Sequence, residues 1–290
     1  MCILNVIYTL SAVNSTSDTV YDIYNRDPEA FKQLNSKPAR VVINGKRHYE
    51  TPFQTGPAAS VTTIISETAS EANKKKLEMW SKNNPGVKEA AAERGTAIHS
   101  CMEHFLKKED VNVPPEYQDF WTGMPEILSQ FQEVLWAETP LRDDHQFALS
   151  DDGIGRVWGR DEEERPWVGS PDIIGVAGNK LTLADLKTSV KPYSRWWPKD
   201  LEKGSPEWRN RLGGYMKFNK CMLQLGAYSL GIEQTLDMKV QQAAIIVSTP
   251  ANTQLFKITR RHLESFQTKW LKVVEEYYSD PDHIVPLIKD

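Results

Sequence analysis

The strongest local pattern in this chain is a pair of apolar runs joined by a turn. Asp172–Val176 and Leu181–Lys187 are rich in Ile, Leu, Val and Thr, the residues that fit a pleated surface. Between them, Ala177-Gly178-Asn179-Lys180 offers Gly-Asn as a two-residue hairpin turn of the II′ kind. With that turn Asp172 falls directly opposite Asp185, on one face, with Cβ atoms about 4.5–5.5 Å apart. Lys187, two residues on, points to the same face. Facing carboxylates repel unless a cation lies between them, so Asp172, Asp185 and Lys187 read as a divalent-metal site with a positive group beside it. An acid-x-base triplet by itself usually marks a solvated strand face. Here Leu181 and Leu183 precede Asp185 on its own face, and a face that begins apolar and ends acidic is less usual for solvent.

The same reading predicts the surrounding elements. Arg40–Ile43, Asn44-Gly45 and Lys46–Glu50 form a second hairpin signal. Ser60–Ile65 fits either a strand or the start of a helix. Val87–Lys108 is a helix, opening after Pro85-Gly86 and closing before Val113-Pro114-Pro115. A second helical region runs from about Glu116 to Trp136, followed by a strand at His145–Leu149 and a polar loop at Ser150–Arg165. After the acidic hairpin come a helix from about Asn219 to Gly231, strands at Gln242–Ser248 and Leu255–Thr259, and an amphipathic helix from Arg261 to about Tyr278. Helices thus bracket a strand cluster, which predicts an α/β or α+β core with a mixed central sheet. Residues 1–37 are weakly patterned and read as a peripheral arm, leaving 38–290 as one domain.

Residues 191–220 lack clear periodicity but not chemistry. They carry eight Lys or Arg against three Asp or Glu, with Tyr193, Trp196, Trp197, Trp208 and Tyr215 interleaved. Aromatic rings that stack on bases contribute about 1–3 kcal/mol each and tolerate any sequence, which suits single strands. Trp196, Trp197 and Tyr215, beside Arg195 and Lys217, fit such a platform; packing of the domain is the competing use of these rings. The formal net charge of −4 argues against coating nucleic acid by bulk electrostatics, though not against a local basic groove. Cys2, Cys101 and Cys221 lie far apart, which excludes a four-cysteine zinc or iron–sulfur site and points to a reducing compartment. Met1–Val13 has no basic n-region and is not read as a signal peptide, and no run approaches a membrane span. These features point to a protein of the cytoplasm.

Two helices add further candidates. On the first, Gly95, His99 and Glu103 follow at i, i+4 and i+8, with Thr96 close to that line, beside an apolar stripe of Ile98, Met102, Phe105 and Leu106. His99 therefore sits at the border of a buried face, as a metal ligand, a general base or a core-edge histidine bonded to Glu103. Gly95 costs the helix about 1 kcal/mol relative to Ala, and a close backbone approach there would explain it. On the later helix Gln224 and Tyr228 share a face.

In order, Gly95-Thr96-x-x-His99-x-x-x-Glu103, Gly169-x-x-Asp172, Asp185-x-Lys187-Thr188-Ser189 and Gln224-x-x-x-Tyr228 resemble the RecB-like branch of the PD-(D/E)XK nucleases. Phage-encoded exonucleases and the mitochondrial genome maintenance exonuclease belong to that branch. The match covers roughly residues 38–260, and Glu138-Thr-Pro-Leu141 is similar to the family's usual lead into its sheet. The insertion at Ser150–Arg165 and the long segment from Lys187 to Gln224 depart from the pattern.

The resemblance implies a PD-(D/E)XK restriction-endonuclease-like core and hydrolysis of DNA phosphodiesters with Mg²⁺ or Mn²⁺, without an iron–sulfur cluster. It makes Asp172, Asp185 and Lys187 catalytic, and His99, Asp172, Asp185 and the Leu186 carbonyl metal ligands. Lys187 would orient or deprotonate water, or stabilise the transition state. Gln224, Tyr228 and Thr188 join Arg195, Trp196, Trp197 and Tyr215 as DNA contacts, with Glu103 as an outer support. The implied activity is an exonuclease preferring single-stranded DNA or DNA ends, working with replication or recombination proteins, in the host cytoplasm if phage-encoded. A structure-selective endonuclease and a DNA-binding or assembly factor with a vestigial site are the alternatives.

Overall fold

Two turns with the same backbone shape open the two hairpins. In a computed structural model, which describes residues 40–51, 56–137, 139–140, 157–236 and 238–283, Asn44 and Gly45 both take positive φ (51° and 73°). That is the type I′ geometry whose twist matches paired strands. They join β1 (Arg40–Ile43) to β2 (Lys46–Tyr49), and β3 (Ala58–Ala59) completes a three-stranded sheet. Ser60 then caps a helix, its Oγ accepting from the Thr63 N–H at 3.1 Å. Ser60–Ile65 is thus a helix start: α1 spans Val61–Glu67. Helix α2 (Glu71–Asn83) buries none of its side chains, and its Leu77, Met79 and Trp80 stay exposed. Helix α3 (Val87–Leu106) follows Gly86, whose φ of 79° lets the chain turn into it.

The second helical region is shorter than the sequence pattern predicts. Helices α4 (Gln118–Trp121) and α5 (Met124–Leu128) end the helical path, and Phe131–Ala137 is a strand, β4. Gly123 breaks the path and Pro125 restarts it in the first turn of α5. Extended backbone then lets Phe131 and Val134 pack into the core against the sheet, and tertiary burial overrides local propensity. β5 (Thr139–Pro140) pairs with the end of β4. The expected strand at His145–Leu149 lies outside the described residues, as does the arm at 1–37. The polar loop is not all loop: β6 (Val157–Arg160) pairs antiparallel with β7 (Pro166–Gly169), and both are largely buried.

The acidic hairpin forms in the predicted register. β8 (Ile173–Ala177) and β9 (Lys180–Thr188) pair Ile173 with Ala184 and Ala177 with Lys180. The turn is type I′ rather than II′, because Gly178 and Asn179 both adopt positive φ (57° and 58°). Helix α6 (Pro206–Leu236) is far longer than Asn219–Gly231 and takes in half of the basic aromatic segment. It crosses from β9 to β10 (Gln242–Ser248), which runs parallel to β9; β11 (Thr253–Thr259) and α7 (Arg260–Tyr278) follow.

The result is a mixed α+β architecture around a six-stranded sheet, ordered β11-β10-β9-β8-β4-β5 with one parallel pair. Strand alternation divides the core in two. Ile173, Ala184, Leu186, Ala244 and Ile246 pack under α3, α4 and α5 with Ile98, Met102, Trp121 and Met124. Ile174, Leu181, Leu183, Ile245 and Val247 face α1, α6 and α7 with Leu225, Tyr228 and Trp270. Two close approaches fix the second layer: a Cβ on Gly226 would lie 2.6 Å from the Phe266 carbonyl oxygen of α7, and one on Gly169 2.4 Å from the Tyr228 ring. No helix among the described residues is long and apolar enough to cross a membrane.

Candidate functional site

Where β8 stops, side chains take over from backbone. The β8–β9 ladder ends at Ile173 and Ala184. One residue earlier, Asp172 Oδ2 accepts the buried Leu186 N–H at 2.6 Å, so a carboxylate stands where the next strand residue would have bonded. A strand residue sends its N–H and C=O to the same edge, so Leu186 also turns its carbonyl toward the end of β8. The other oxygen, Asp172 Oδ1, lies 3.6 Å from His99 Nδ1. His99 comes from α3, on the opposite side of the sheet from α6, and reaches Asp172 past the strand end.

Asp185 follows Leu181 and Leu183 onto the α6 face and is 1% exposed. Its Oδ2 lies 2.7 Å from Lys187 Nζ. That contact is close but poorly directed, since the buried Oδ2 receives no well-aligned hydrogen bond. Burial pushes the Asp185 carboxyl up, to about 6, although Lys187 opposes the rise; Asp172 adds to it. Burial works against the Lys187 ammonium, but the charges of Asp185 and Asp172 outweigh it and hold Lys187 well above its ordinary value. The unfolded carboxyl titrates near 3.8. A pKa raised in the folded state gives stability that is whole below the unfolded value and lost as pH rises through the folded one. In metal-free buffer, the melting temperature should therefore lose a component between about pH 4 and pH 6 that Asp185→Asn does not lose. Parallel melting profiles for the two proteins would refute the assignment.

The donors suit a hard divalent cation. Asp185 Oδ2 is a buried oxygen lacking a directed partner, Asp172 and His99 are near enough to bear on its charge, and the Leu186 carbonyl turns toward the strand end where Asp172 stands. Carboxylate and carbonyl oxygens suit Mg²⁺, and an imidazole extends the set to Mn²⁺. Among the described residues, however, no three His, Cys, Asp or Glu side chains converge as a finished cage. The carboxylates are instead arranged about Lys187 and the Leu186 N–H.

The remaining candidates divide by exposure. Gln224 (6%) and Tyr228 (5%) are buried, so they present little surface to a strand, and Tyr228 stands close enough to the acids for the Asp185 charge to bear on it. Burial first, and then the charge of Asp185, hold the Tyr228 phenol well above its usual value, so it stays neutral. Glu103 bonds Lys107 at 2.6 Å. A Cβ on Gly95 would sit 3.9 Å from Thr188 Oγ1, an ordinary contact, so the strand does not require a glycine there. Arg195 donates to the Lys257 carbonyl and lies 5.9 and 5.5 Å over the rings of Phe218 and Phe256. Trp197 packs edge-on against Tyr215 and Trp208 while half exposed, and Trp196 is 72% exposed.

Two residues of the stripe that carries Gln224 and Tyr228 also reach the centre, Lys217, expected beside the aromatic platform, and Cys221, expected to have no role in the site. Lys217 and Cys221 precede Gln224 and Tyr228 on α6 at helical spacing, and that stripe was the available signal. Cys221 is buried, which drives its thiol up to about 12, and the Asp185 carboxylate reinforces the shift. Ser189 closes β9, its N–H bonded to the Ser248 carbonyl at 2.9 Å.

No protein-family model matches this chain, and no curated protein matches it. Among solved structures, the crystal structure of SSO0001 is similar over 37% of this chain and 41% of that one, at 15% identity and a TM-score of 0.19. The chain thus spans less than half the length of that protein, and a likeness of this size carries no argument about fold or chemistry.

Proposed function

We propose that the protein is a metal-dependent DNA exonuclease of the RecB-like PD-(D/E)XK type, acting on single strands or ends. The observation that carries the reading is Asp185, buried with an undirected oxygen against Lys187, beside Asp172 at the end of a sheet. A buried acid pair of this kind is costly for stability alone, and such costs gather where chemistry is done.

Asp172, Asp185, His99 and the Leu186 carbonyl would hold Mg²⁺ or Mn²⁺. Such an ion, when bound, lowers the pKa of water and neutralises charge on phosphate. The chain's own groups supply the rest. Lys187 is held as an ammonium by Asp185 and Asp172, which favours orienting the nucleophile and countering charge on the phosphate over acting as a base. Tyr228, a neutral phenol packed behind Gly169, lies beside Lys187. Trp196, on the surface, offers a ring for stacking.

The test is digestion of end-labelled linear and of circular single-stranded DNA with Mg²⁺ or Mn²⁺. Loss of the linear strand from its end, with circles intact, is the expected result. Cut circles would instead support an endonuclease, and inertness toward both would support a binding factor.

A further inference from the structure

Three cations from three segments lie about the end of β9, close enough for Lys191 and Arg94 to bear on the charge of Lys217. Lys217 on α6 donates from Nζ to Ser189 Oγ at 3.2 Å, and the same hydroxyl accepts the Lys191 N–H at 3.4 Å. Lys191 Nζ reaches back to Asn210 Oδ1 on α6 at 2.7 Å. Arg94 on α3 immediately precedes Gly95, which lies against Thr188. Its guanidinium rests 4.8 Å over the Phe120 ring, and its Nε is buried without a hydrogen-bond partner. None of the three forms an ion pair with a carboxylate among the described residues. Partial burial first, and then the like charges of Lys191 and Arg94, push the Lys217 ammonium below its ordinary value.

Gathered like charges repel, and an anion seated among them removes the cost. We propose that Arg94, Lys191 and Lys217 form a phosphate-binding subsite that grips a backbone phosphate of a single DNA strand next to the bond cut at Asp172, Asp185 and Lys187. The placement favours a neighbouring phosphate of the same strand. Ser189, which ties the two lysines, lies two residues beyond Lys187, or about 6–7 Å along a strand. The stacking surface adjoins it. A Cβ on Gly214 would lie 2.7 Å from the Pro192 carbonyl oxygen, so that glycine lets the loop carrying Lys191 and Trp196 lie directly on α6. Cations on phosphates with a ring for bases are the elements of a single-strand track. The choice of anion rests on the nuclease reading.

Binding and cutting separate the two. In an Asp185→Asn background without metal, a fluorescein-labelled oligothymidylate is titrated by anisotropy at several salt concentrations. Lys191→Gln and Lys217→Gln should each weaken binding about 10-fold and flatten the salt slope by about 0.7. Lys217→Arg should restore the slope, which a merely misfolded protein would not do. Unchanged affinity and slope overturn the subsite, whether or not the wild-type protein cuts. A wild-type protein that binds with these slopes yet never cuts the oligonucleotide with Mg²⁺ or Mn²⁺ overturns the nuclease reading and supports the subsite.

Discussion

Asp185→Asn should abolish metal-dependent cleavage of linear single-stranded DNA, lowering its rate on the order of 10³-fold or more, while leaving the metal-free protein at least as stable near neutral pH. The two halves have one cause. Asp185 is 1% exposed, and burial lifts its carboxyl to about 6, so the folded chain carries an ionised group at a cost. An amide of the same shape removes that cost. It also removes the anionic ligand, and charge stabilisation of that kind is worth several kcal/mol at the transition state. Lys187→Ala should cost about 10²–10³-fold in turnover, the scale of losing one donor to developing charge. It should also destabilise, because it strips the counter-charge 2.7 Å from a buried carboxylate. The penalty falls short of that for a fully enclosed pair, since Lys187 keeps 28% of its side chain exposed. Initial rates and melting curves on both variants separate the effects. Full activity in either would remove the nuclease assignment from this site.

What was legible in the sequence follows from how local each determinant is. Gly178 and Asn179 are both tolerant of positive φ, so a two-residue turn was enforced there and every downstream pairing followed from it. Period-two alternation then placed Asp185 and Lys187 on one face. The turn type departs from expectation because Gly first and Asn second fits II′ by residue identity, whereas Asn179 also adopts the left-handed region. Direct opposition of Asp172 and Asp185 was also only partly right. Asp172 leaves the ladder to bond the Leu186 N–H, a choice made by a strand end that no periodicity records. β4 is not marked by any local pattern, since its residues are extended only because Phe131 and Val134 gain a core to pack against. The first half of α6 hid its period because Gly214 and Tyr215 face a loop rather than the sheet. Lys191 and Lys217 belong to the basic aromatic segment at 191–220, but Arg94 joins them from a helix distant in the chain, and nothing local marks that approach.

Asp172 should separate fold from chemistry most sharply, because its two oxygens do different work. Oδ2 holds the Leu186 N–H at 2.6 Å where β8 can no longer do so, and Leu186 is fully buried. Asp172→Ala leaves that N–H without a partner, at about 1–3 kcal/mol, which for a domain of this size lowers the melting temperature by roughly 2–10 °C. Asp172→Asn keeps an oxygen that can accept the same bond, so its melting temperature should stay close to that of the wild type. Oδ1 meets His99 at 3.6 Å, and neither variant preserves an anion there. Both should therefore lose metal-dependent cleavage on the order of 10²-fold or more, the lower end set by the loss of a single charged group. Thermal melting and initial rates on the pair give four numbers and one pattern: stability lost only in the alanine variant, activity lost in both. An active, stable asparagine variant would make Asp172 a plug for the end of a strand, and would leave Asp185 and Lys187 without the second acid that the proposed chemistry requires.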